Sequence, residues 1–174
     1  MTQSSIQQGY VPGCIGRIAQ LHATYYAATH GFGVAFESKV ARELADFCSY
    51  YQPGRDGLWL VEHQGNVEGS IVIDGSHADT DHAHLRWFIT SDAVKGQGIG
   101  KRLLQAAMDF VDASGYSSTQ LWTFSGLDAA RHLYESHGFK LVYENPGDQW
   151  GTLVKEQQFV RTHPGRAGDA RTAG

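Results

Sequence analysis

Two stretches near the start of the chain carry apolar residues at helical spacing. Residues 15–26 and residues 36–51 both repeat an apolar side chain every three or four positions. Gly31-Phe32-Gly33 separates the two stretches, and Pro53-Gly54 ends the second. This period predicts two consecutive amphipathic helices, with room for one short strand before them.

The apolar runs that follow have the character of strands. Residues 58–63 and 67–74 flank Gln64-Gly65-Asn66, which is a hairpin signal, and a polar loop leads to a third run at residues 82–90. Short apolar runs bounded by turn residues are typical of buried strands. We therefore predict three consecutive strands after the two helices.

The pattern then alternates between helix and strand. Residues 98–114 predict a long helix, with Gly115 as its C-terminal cap. Residues 119–124 predict a strand, and Ser125-Gly126-Leu127-Asp128 has the pattern of a capping box that opens a helix ending at His137-Gly138.

The last predicted elements are two strands, at residues 140–144 and 149–159, joined by a turn at Asn145-Pro146-Gly147. The order β-αα-βββ-α-β-α-ββ predicts a mixed α/β fold, in which helices flank a central mixed sheet. Three consecutive strands before the long helix exclude a doubly wound nucleotide fold. We expect one domain over residues 1–160 and a disordered tail over residues 161–174.

Composition and charge limit the class of protein. The 174 residues suffice for one core, and 41% hydrophobic with 18% charged residues is a globular balance. The net charge of −4 argues against a nucleic-acid partner. The sequence has no apolar run long enough for a bilayer and no leader pattern at its start, so we expect no membrane partner and a cytoplasmic protein with Cys14 and Cys48 reduced. A homodimer is the expectation from base rates alone.

The most informative segment is Lys95-Gly96-Gln97-Gly98-Ile99-Gly100-Lys101, which opens the long helix. Glycines let backbone N–H groups approach a ligand, and a helix N-terminus adds positive potential, so the segment suits a phosphate or pyrophosphate. A dinucleotide fingerprint would need glycine at position 101, and a P-loop would need glycine at position 95 and Ser or Thr at position 102. A tight strand-to-helix connection without a ligand remains the alternative.

Two motifs resemble those of the GNAT acetyltransferase superfamily. Lys95-x-x-Gly98-x-Gly100 resembles its acetyl-CoA pyrophosphate motif, and Ala130-x-x-x-Tyr134-x-x-x-Gly138-Phe139 resembles its second signature. More narrowly, three segments look like the acetyltransferase half of bacterial MarR–GNAT fusion proteins. These segments are Leu85-Arg86-Trp87-Phe88-Ile89, residues 126–134, and Gly147-Asp148-Gln149-Trp150-Gly151.

The resemblance implies an acetyl-CoA-dependent N-acetyltransferase that acts by direct attack of a primary amine of a small molecule, peptide or protein. It implies that Tyr134 donates a proton to the CoA thiolate. It also implies that acetyl-CoA is held by Lys95, Gly96, Gln97, Gly98, Ile99, Gly100, Lys101 and Tyr134, and by the strand Trp87, Phe88, Ile89. Lys95 and Leu127 depart from the family pattern and motivate an alternative, a catalytically silent module that binds CoA as a sensor or interaction surface.

The amine must lose a proton before it attacks, because an alkylamine has a pKa near ~10.4. The general base is open between Glu37, His84, Glu68, Asp148 and a solvent relay. Four residues are expected at the acceptor site, Glu37, Phe32, His84 and Trp150.

A cluster of His and Asp residues, His77-x-Asp79-x-Asp81-His82-x-His84, invites a test for metal binding. Alternation along a strand puts His82 and His84 on one face, as two ligands would be. The cluster lies across a polar loop, where such residues are common without metal. We therefore predict no metal site.

Overall fold

One mixed sheet of seven strands organises the part of the chain that a computed structural model describes, residues 3–77 and 81–163. Four helices pack on it, together with one 3₁₀ turn at Asp92–Val94. In chain order the elements are β1 (Ser5–Gln8), α1 (Cys14–His30), α2 (Val34–Ser49), β2 (Gly57–His63), β3 (Asn66–Asp74), β4 (His82–Thr90), α3 (Ile99–Ser114), β5 (Ser118–Phe124), α4 (Asp128–Ser136), β6 (Lys140–Gly147) and β7 (Val154–Thr162).

The spatial order of the strands is β1-β2-β3-β4-β5-β7-β6. Neighbouring strands are antiparallel except β4 and β5, which are parallel and are joined through α3. The predicted element order and mixed α/β class are confirmed. The long helix follows the last of three consecutive antiparallel strands, so its N-terminus lies beside the end of β4.

The core has two layers, one on each face of the sheet. One layer contains the apolar faces of α1 and α2, and the other contains α3 with Tyr134 of α4. In β2, Leu58 and Leu60 belong to the first layer while Trp59 and Val61 belong to the second. A strand buried on both faces carries a continuous apolar run, which is why this segment is recognisable in the sequence.

Three local predictions were wrong, and one of them is the start of the last strand, which lies at Val154 and not at residue 149. Helix α4 begins at Asp128 with Leu127 as its N-cap residue and without a side-chain cap bond, so Ser125 forms no capping box. Residues 145–147 are not a turn but the end of β6, where Pro146 lies opposite Lys155. β6 is an edge strand of the sheet, and a proline is tolerated there because its missing N–H is not needed for pairing.

The last strand continues beyond the predicted domain end at residue 160. β7 runs to Thr162, and Arg161 is paired with Thr119 of β5. The remainder of the predicted tail, residues 164–174, lies outside the described residues.

Candidate active site

A cleft opens where the two parallel strands separate. β4 and β5 pair only over His82–His84 and Ser118–Gln120, and beyond these residues no strand pairing joins them in the described chain. The resulting cleft has a volume of about 460 Å³. Its lining side chains come from five elements and three connections between elements and include His22, Tyr26, Phe36, Lys39, Glu43, His84, Arg86, Trp87, Phe88, Phe124, Tyr134 and Trp150.

A β-bulge bends β4 at the wall of this cleft. Ile71 of β3 faces two residues of β4, Trp87 and Phe88, and Trp87 has a left-handed φ of 43°. This conformation costs a non-glycine residue roughly 1–2 kcal/mol. The buried Ser70 hydroxyl donates a hydrogen bond of 2.7 Å to the Trp87 carbonyl and so holds the bulge in place.

The bulge decides which residues of the predicted cofactor strand reach the cleft. Trp87 and Phe88 line it, whereas Ile89 pairs with Ser70 beyond the bulge. Because β5 has turned away, the β4 edge above His84 presents backbone groups to the cleft rather than to a neighbouring strand. Backbone N–H groups in such a place can stabilise charge that develops on a carbonyl oxygen.

The N-terminus of α3 lies next to the bulge. Gly98 is its N-cap residue with a left-handed φ of 69°, and within the described chain no side chain caps this end. The first intrahelical bond runs from the Arg102 N–H to the Gly98 carbonyl, which leaves the three preceding N–H groups without helix acceptors. A Cβ built on Gly100 would lie 3.6 Å from the Phe88 ring, so the glycine loop borders the cleft.

The loop before α3 suits an anionic ligand. Gly96, like Gly98, has positive φ, and no atom lies within 4 Å of a Cβ built on either residue, so the backbone is open to close approach. Lys95 and Lys101 are exposed on either side. The Gln97 side chain accepts a hydrogen bond of 2.8 Å from Ser4. Open N–H groups at the positive end of a helix, flanked by lysines, fit the pyrophosphate of acetyl-CoA.

Tyr134 of α4 lies at the side of the cleft nearest Phe88. Its ring packs against Phe88, Phe139 and Phe159 at centroid distances of 6.0, 5.9 and 6.2 Å, and 7% of the residue is exposed. Burial, and then the neighbouring Tyr26 hydroxyl, raise the pKa of Tyr134 far above its ordinary value. The phenol therefore keeps its proton at physiological pH.

The far end of the cleft is charged. Lys39 and Glu43 of α2 form an ion pair of 2.7 Å, and Glu43 also pairs with Arg86 of β4. Burial opposes ionisation of Glu43, but its hydrogen bond to Lys39 and the charge of Arg86 hold its pKa below the ordinary value. Burial, followed by the charge of Arg86, lowers the pKa of His84 to about 4, so this imidazole is neutral at pH 7.

Of the four residues predicted at the acceptor site, His84 and Trp150 line the cleft. Phe32 is buried behind it, with its ring 5.7 Å from Tyr26. Glu37 is exposed on α2 and is not among the lining residues. Sequence reasoning assigned no role to Lys39, Glu43 or Arg86. Lys39 and Glu43 have the i, i+4 spacing of a helical ion pair and lie beside the apolar α2 residues that face the sheet. This pattern could have identified them in the sequence.

The other two candidate bases lie outside the lining. Glu68 is buried against Arg17 at 3.1 Å and accepts a hydrogen bond from Ser91. Asp148 is exposed in the loop after β6. Their carboxylates are thus placed for structural or solvent contacts in this structure.

Within residues 3–77 and 81–163, no group of three or more His, Cys, Asp or Glu side chains comes together as metal ligands would. Asp79 lies outside the described residues. His82 hydrogen-bonds Ser118, and the His77 and His84 rings lie 6.5 Å apart. No helix in the same part of the chain is long and apolar enough to span a membrane.

Comparison of the sequence with known proteins identifies its family. The profile of the Acetyltransferase (GNAT) family matches residues 18–139. Human N-acetylaspartate synthetase is 30% identical over 128 residues, which are 73% of this chain and 42% of that protein. The uncharacterized N-acetyltransferase YjgM of Escherichia coli (strain K12) is 30% identical over 131 residues, which are 74% of this chain and 75% of that protein.

The fold has close counterparts among solved structures. A proposed acetyltransferase from Salmonella typhimurium, with its cofactor acetyl-CoA, superposes with a TM-score of 0.71 at 17% identity, covering 92% of this chain and 94% of that one. This likeness shows the fold. The chain spans about two fifths of the length of the N-acetylaspartate synthetases that it matches.

Proposed function

The chain belongs to the acetyltransferase (GNAT) family, and on that premise we propose that it transfers the acetyl group of acetyl-CoA to a primary amine. The observation that carries the proposal is the placement of the uncapped α3 N-terminus beside a cleft between separated parallel strands. If the pyrophosphate of acetyl-CoA is held at Gly98 and Gly100, the rest of the molecule would extend past Phe88 into the cleft that contains Tyr134.

Each part of the site has a proposed role in this reaction. Acetyl-CoA supplies an acetyl group activated as a thioester. The N–H groups of α3, with Lys95 and Lys101, hold its pyrophosphate, and the backbone at Trp87 and Phe88 stabilises charge on the acetyl oxygen. Tyr134 holds on its Oη the proton that a departing thiolate requires.

We propose direct attack by the amine, without an acyl-enzyme. An acyl-enzyme forms most readily on an activated cysteine or serine, and the described residues that line the cleft include neither, although they include Thr123. Cys14 is buried and Cys48 is half-buried in the α1–α2 layer. Burial raises the pKa of both thiols, that of Cys48 to about 11, which makes them poor nucleophiles.

His84 is the one of the four candidate bases that lines the cleft. A pKa of about 4 makes it a weak base, so we assign it hydrogen bonding to the amine or to the water that removes the proton. Glu37 stays a prediction as a contact for a cationic acceptor that approaches over α2.

The alternative, a silent CoA-binding module, keeps the same cofactor site. Leu127 supports it, because this residue lines the cleft at the start of α4 where the family pattern has a polar side chain. The two hypotheses differ in turnover and agree on binding, so binding and turnover are measured separately.

The first test is thermal unfolding with acetyl-CoA, CoA and ATP added in separate experiments. A ligand at 100 times its dissociation constant adds about 2.7 kcal/mol to the free energy of unfolding. We expect stabilisation by acetyl-CoA and CoA and none by ATP. Absence of any shift with both CoA species would reduce the glycine loop to a tight connection, whereas binding without acetylation of any amine would favour the silent module.

Three finer features belong to the same proposal. Likeness to the acetyltransferase half of bacterial MarR–GNAT proteins stays a prediction that rests on the three quoted segments. A cytoplasmic setting is supported by the two free thiols. A homodimer is supported by exposed apolar residues on the edge strand β6, Leu141, Val142 and Tyr143.

The name of the human relative suggests aspartate as one acceptor to test.

A further inference from the structure

We propose that the acceptor amine carries a carboxylate, and that Arg86, with Lys39 beside it, binds this carboxylate at the far end of the cleft. The inference rests on the proposed acetyl transfer and specifies its substrate class, which is that of amino acids. It assigns a binding role to a cluster of charged side chains that the transfer chemistry does not use.

The first argument is the balance of charge on the cleft wall. The charged side chains of the lining are Lys39, Glu43 and Arg86, and Asp74 of the neighbouring groove approaches Arg86 at 3.4 Å. The two cations and two carboxylates balance, so a ligand meets no excess of negative charge here. The guanidinium of Arg86 keeps N–H donors that neither carboxylate occupies, and these donors suit an anionic group.

The second argument is that Arg86 is held in place before any ligand arrives. Its guanidinium carbon lies 4.1 Å from the centroid of the Trp87 ring, over its face. Glu43 and Asp74 each accept from one terminal nitrogen, which accounts for two of the five N–H donors of an arginine. A planar fork that is already oriented binds a carboxylate with two parallel hydrogen bonds and loses little side-chain entropy.

The third argument is the position of Arg86 relative to the reaction centre. Arg86 and Phe88 both line the cleft from β4, and the Phe88 ring lies 6.0 Å from that of Tyr134. Trp87 at the bulge is the one residue between Arg86 and Phe88, so the two are near neighbours on one wall of the cleft. An amine near Tyr134 can therefore belong to the same small molecule as a carboxylate at Arg86.

The same charges disfavour a polyamine. An ammonium group at the far end of the cleft would meet Lys39 and Arg86, and Glu43 is already paired with both of them. Like charges at such contacts lower affinity. Spermidine is therefore the acceptor that most directly opposes the inference.

The first experiment compares matched acceptors with the wild-type protein and saturating acetyl-CoA. The acceptors are the twenty amino acids, β-alanine and 4-aminobutyrate, each beside its α- or terminal carboxamide, together with spermidine. A hydrogen-bonded carboxylate at Arg86 should make kcat/KM for the best acid about 10–100-fold higher than for its amide. Acetylation of amides or spermidine in preference to every acid overturns the inference.

The second experiment separates binding by Arg86 from a structural role. Arg86→Gln should raise KM for the acid about 10–100-fold and leave KM for its amide and for acetyl-CoA unchanged, so that discrimination between acid and amide is lost. Arg86→Lys should restore part of the discrimination between the acid and its amide. Arg42→Gln, on the exposed side of α2, makes the same change of charge and should preserve discrimination.

Retained discrimination in Arg86→Gln overturns the inference. If that variant does not fold, Lys39→Gln replaces it, with an expected rise of about 3–10-fold in KM for the acid and none for the amide. Binding of acetyl-CoA without acetylation of any acid also overturns the inference. The proposed function fails by a different result, the absence of both acetyl-CoA binding and turnover of any amine.

Discussion

At the scale of single residues, the chemistry of the site depends on burial. Tyr134 is enclosed by Phe88, Phe139 and Phe159, and its proton is retained because a phenolate would be poorly solvated there. The same cause keeps His84 neutral. Tyr134 therefore keeps its proton and His84 does not take up a second one, although both line the same cleft.

Tyr134→Phe removes the proposed proton donor and keeps the ring that packs in the core. We expect the rate of acetyl transfer at saturating substrates to fall about 10²–10⁴-fold, the usual contribution of a general acid. The dissociation constant for CoA should not change, because the ring contacts remain. Steady-state kinetics and calorimetry measure the two quantities.

Tyr143→Phe is the matched control, since this tyrosine is exposed on β6 and distant in the sheet from β4. It should leave the rate unaltered. Full activity in Tyr134→Phe would show that the thiolate takes its proton from another donor, and the role assigned to Tyr134 would then be withdrawn.

At the scale of elements, the site depends on the local distortion of β4. The bulge at Trp87 interrupts the alternation of the strand, and the separation from β5 leaves its upper edge facing the cleft. Bulges bend a strand and redirect its side chains, often beside active sites. The cost of the left-handed Trp87 is offset in part by the hydrogen bond from Ser70.

Ser70→Ala should show how much the hydrogen bond from Ser70 to the Trp87 carbonyl contributes to the free energy of unfolding. The Trp87 carbonyl would remain buried without its partner, which costs about 1–3 kcal/mol of unfolding free energy. We also expect lower kcat/KM, because Arg86 and Phe88 flank the bulge. Urea denaturation measures the first effect. The exposed Ser38→Ala on α2 is the control, and equal stability of the two variants would mean that the bulge does not need the hydroxyl.

At the scale of the whole molecule, contacts outside the sheet hold its two halves together. Three residue pairs join β4 to β5, and the helices cover the place where the strands part. Arg161 near the end of β7 forms two hydrogen bonds, of 2.9 and 3.1 Å, with Asp112 of α3 and donates a third to the His137 carbonyl after α4. One side chain thus links the last strand to both helices on that face.

Arg161→Ala should lower the free energy of unfolding by about 1–2 kcal/mol, an amount moderated by the partial exposure of Asp112. The hydrogen bonds and charge of Arg161 hold the pKa of Asp112 below its ordinary value. The ion pair therefore stabilises the fold above about pH 4, and this contribution is lost as the pH falls below that value.

The difference between wild type and Arg161→Ala should consequently shrink on acidification, as chemical denaturation at pH 7 and pH 3 would record. Arg42→Ala, at an exposed position of α2, is the control and should match the wild type at both pH values. A difference that persists undiminished at low pH would assign the effect to packing of the Arg161 stem instead of to its charge.

The order of the elements was determined by the sequence alone, because hydrophobic period and turn residues act over a few positions. The continuous apolar run of β2, the amphipathic α3 and its terminal Gly115 were all recognisable in this way. The glycine loop and Tyr134 were predicted as site residues from their motifs for the same reason. The turn predicted at Pro146 failed because its pairing with β7 depends on β6 lying at the edge of the sheet, which no local pattern states.

The charge and shape of the cleft are determined only by the tertiary structure. Its charged wall joins Lys39 and Glu43 of α2 to Arg86, whose partner Glu43 lies 43 positions earlier in the chain. Its opening depends on β4 and β5 separating after three residue pairs, and its curvature depends on a bulge that Ser70 completes across the sheet. These features arise from contacts between segments that are remote in sequence, so they exist only once the sheet has assembled and α2 has packed against it.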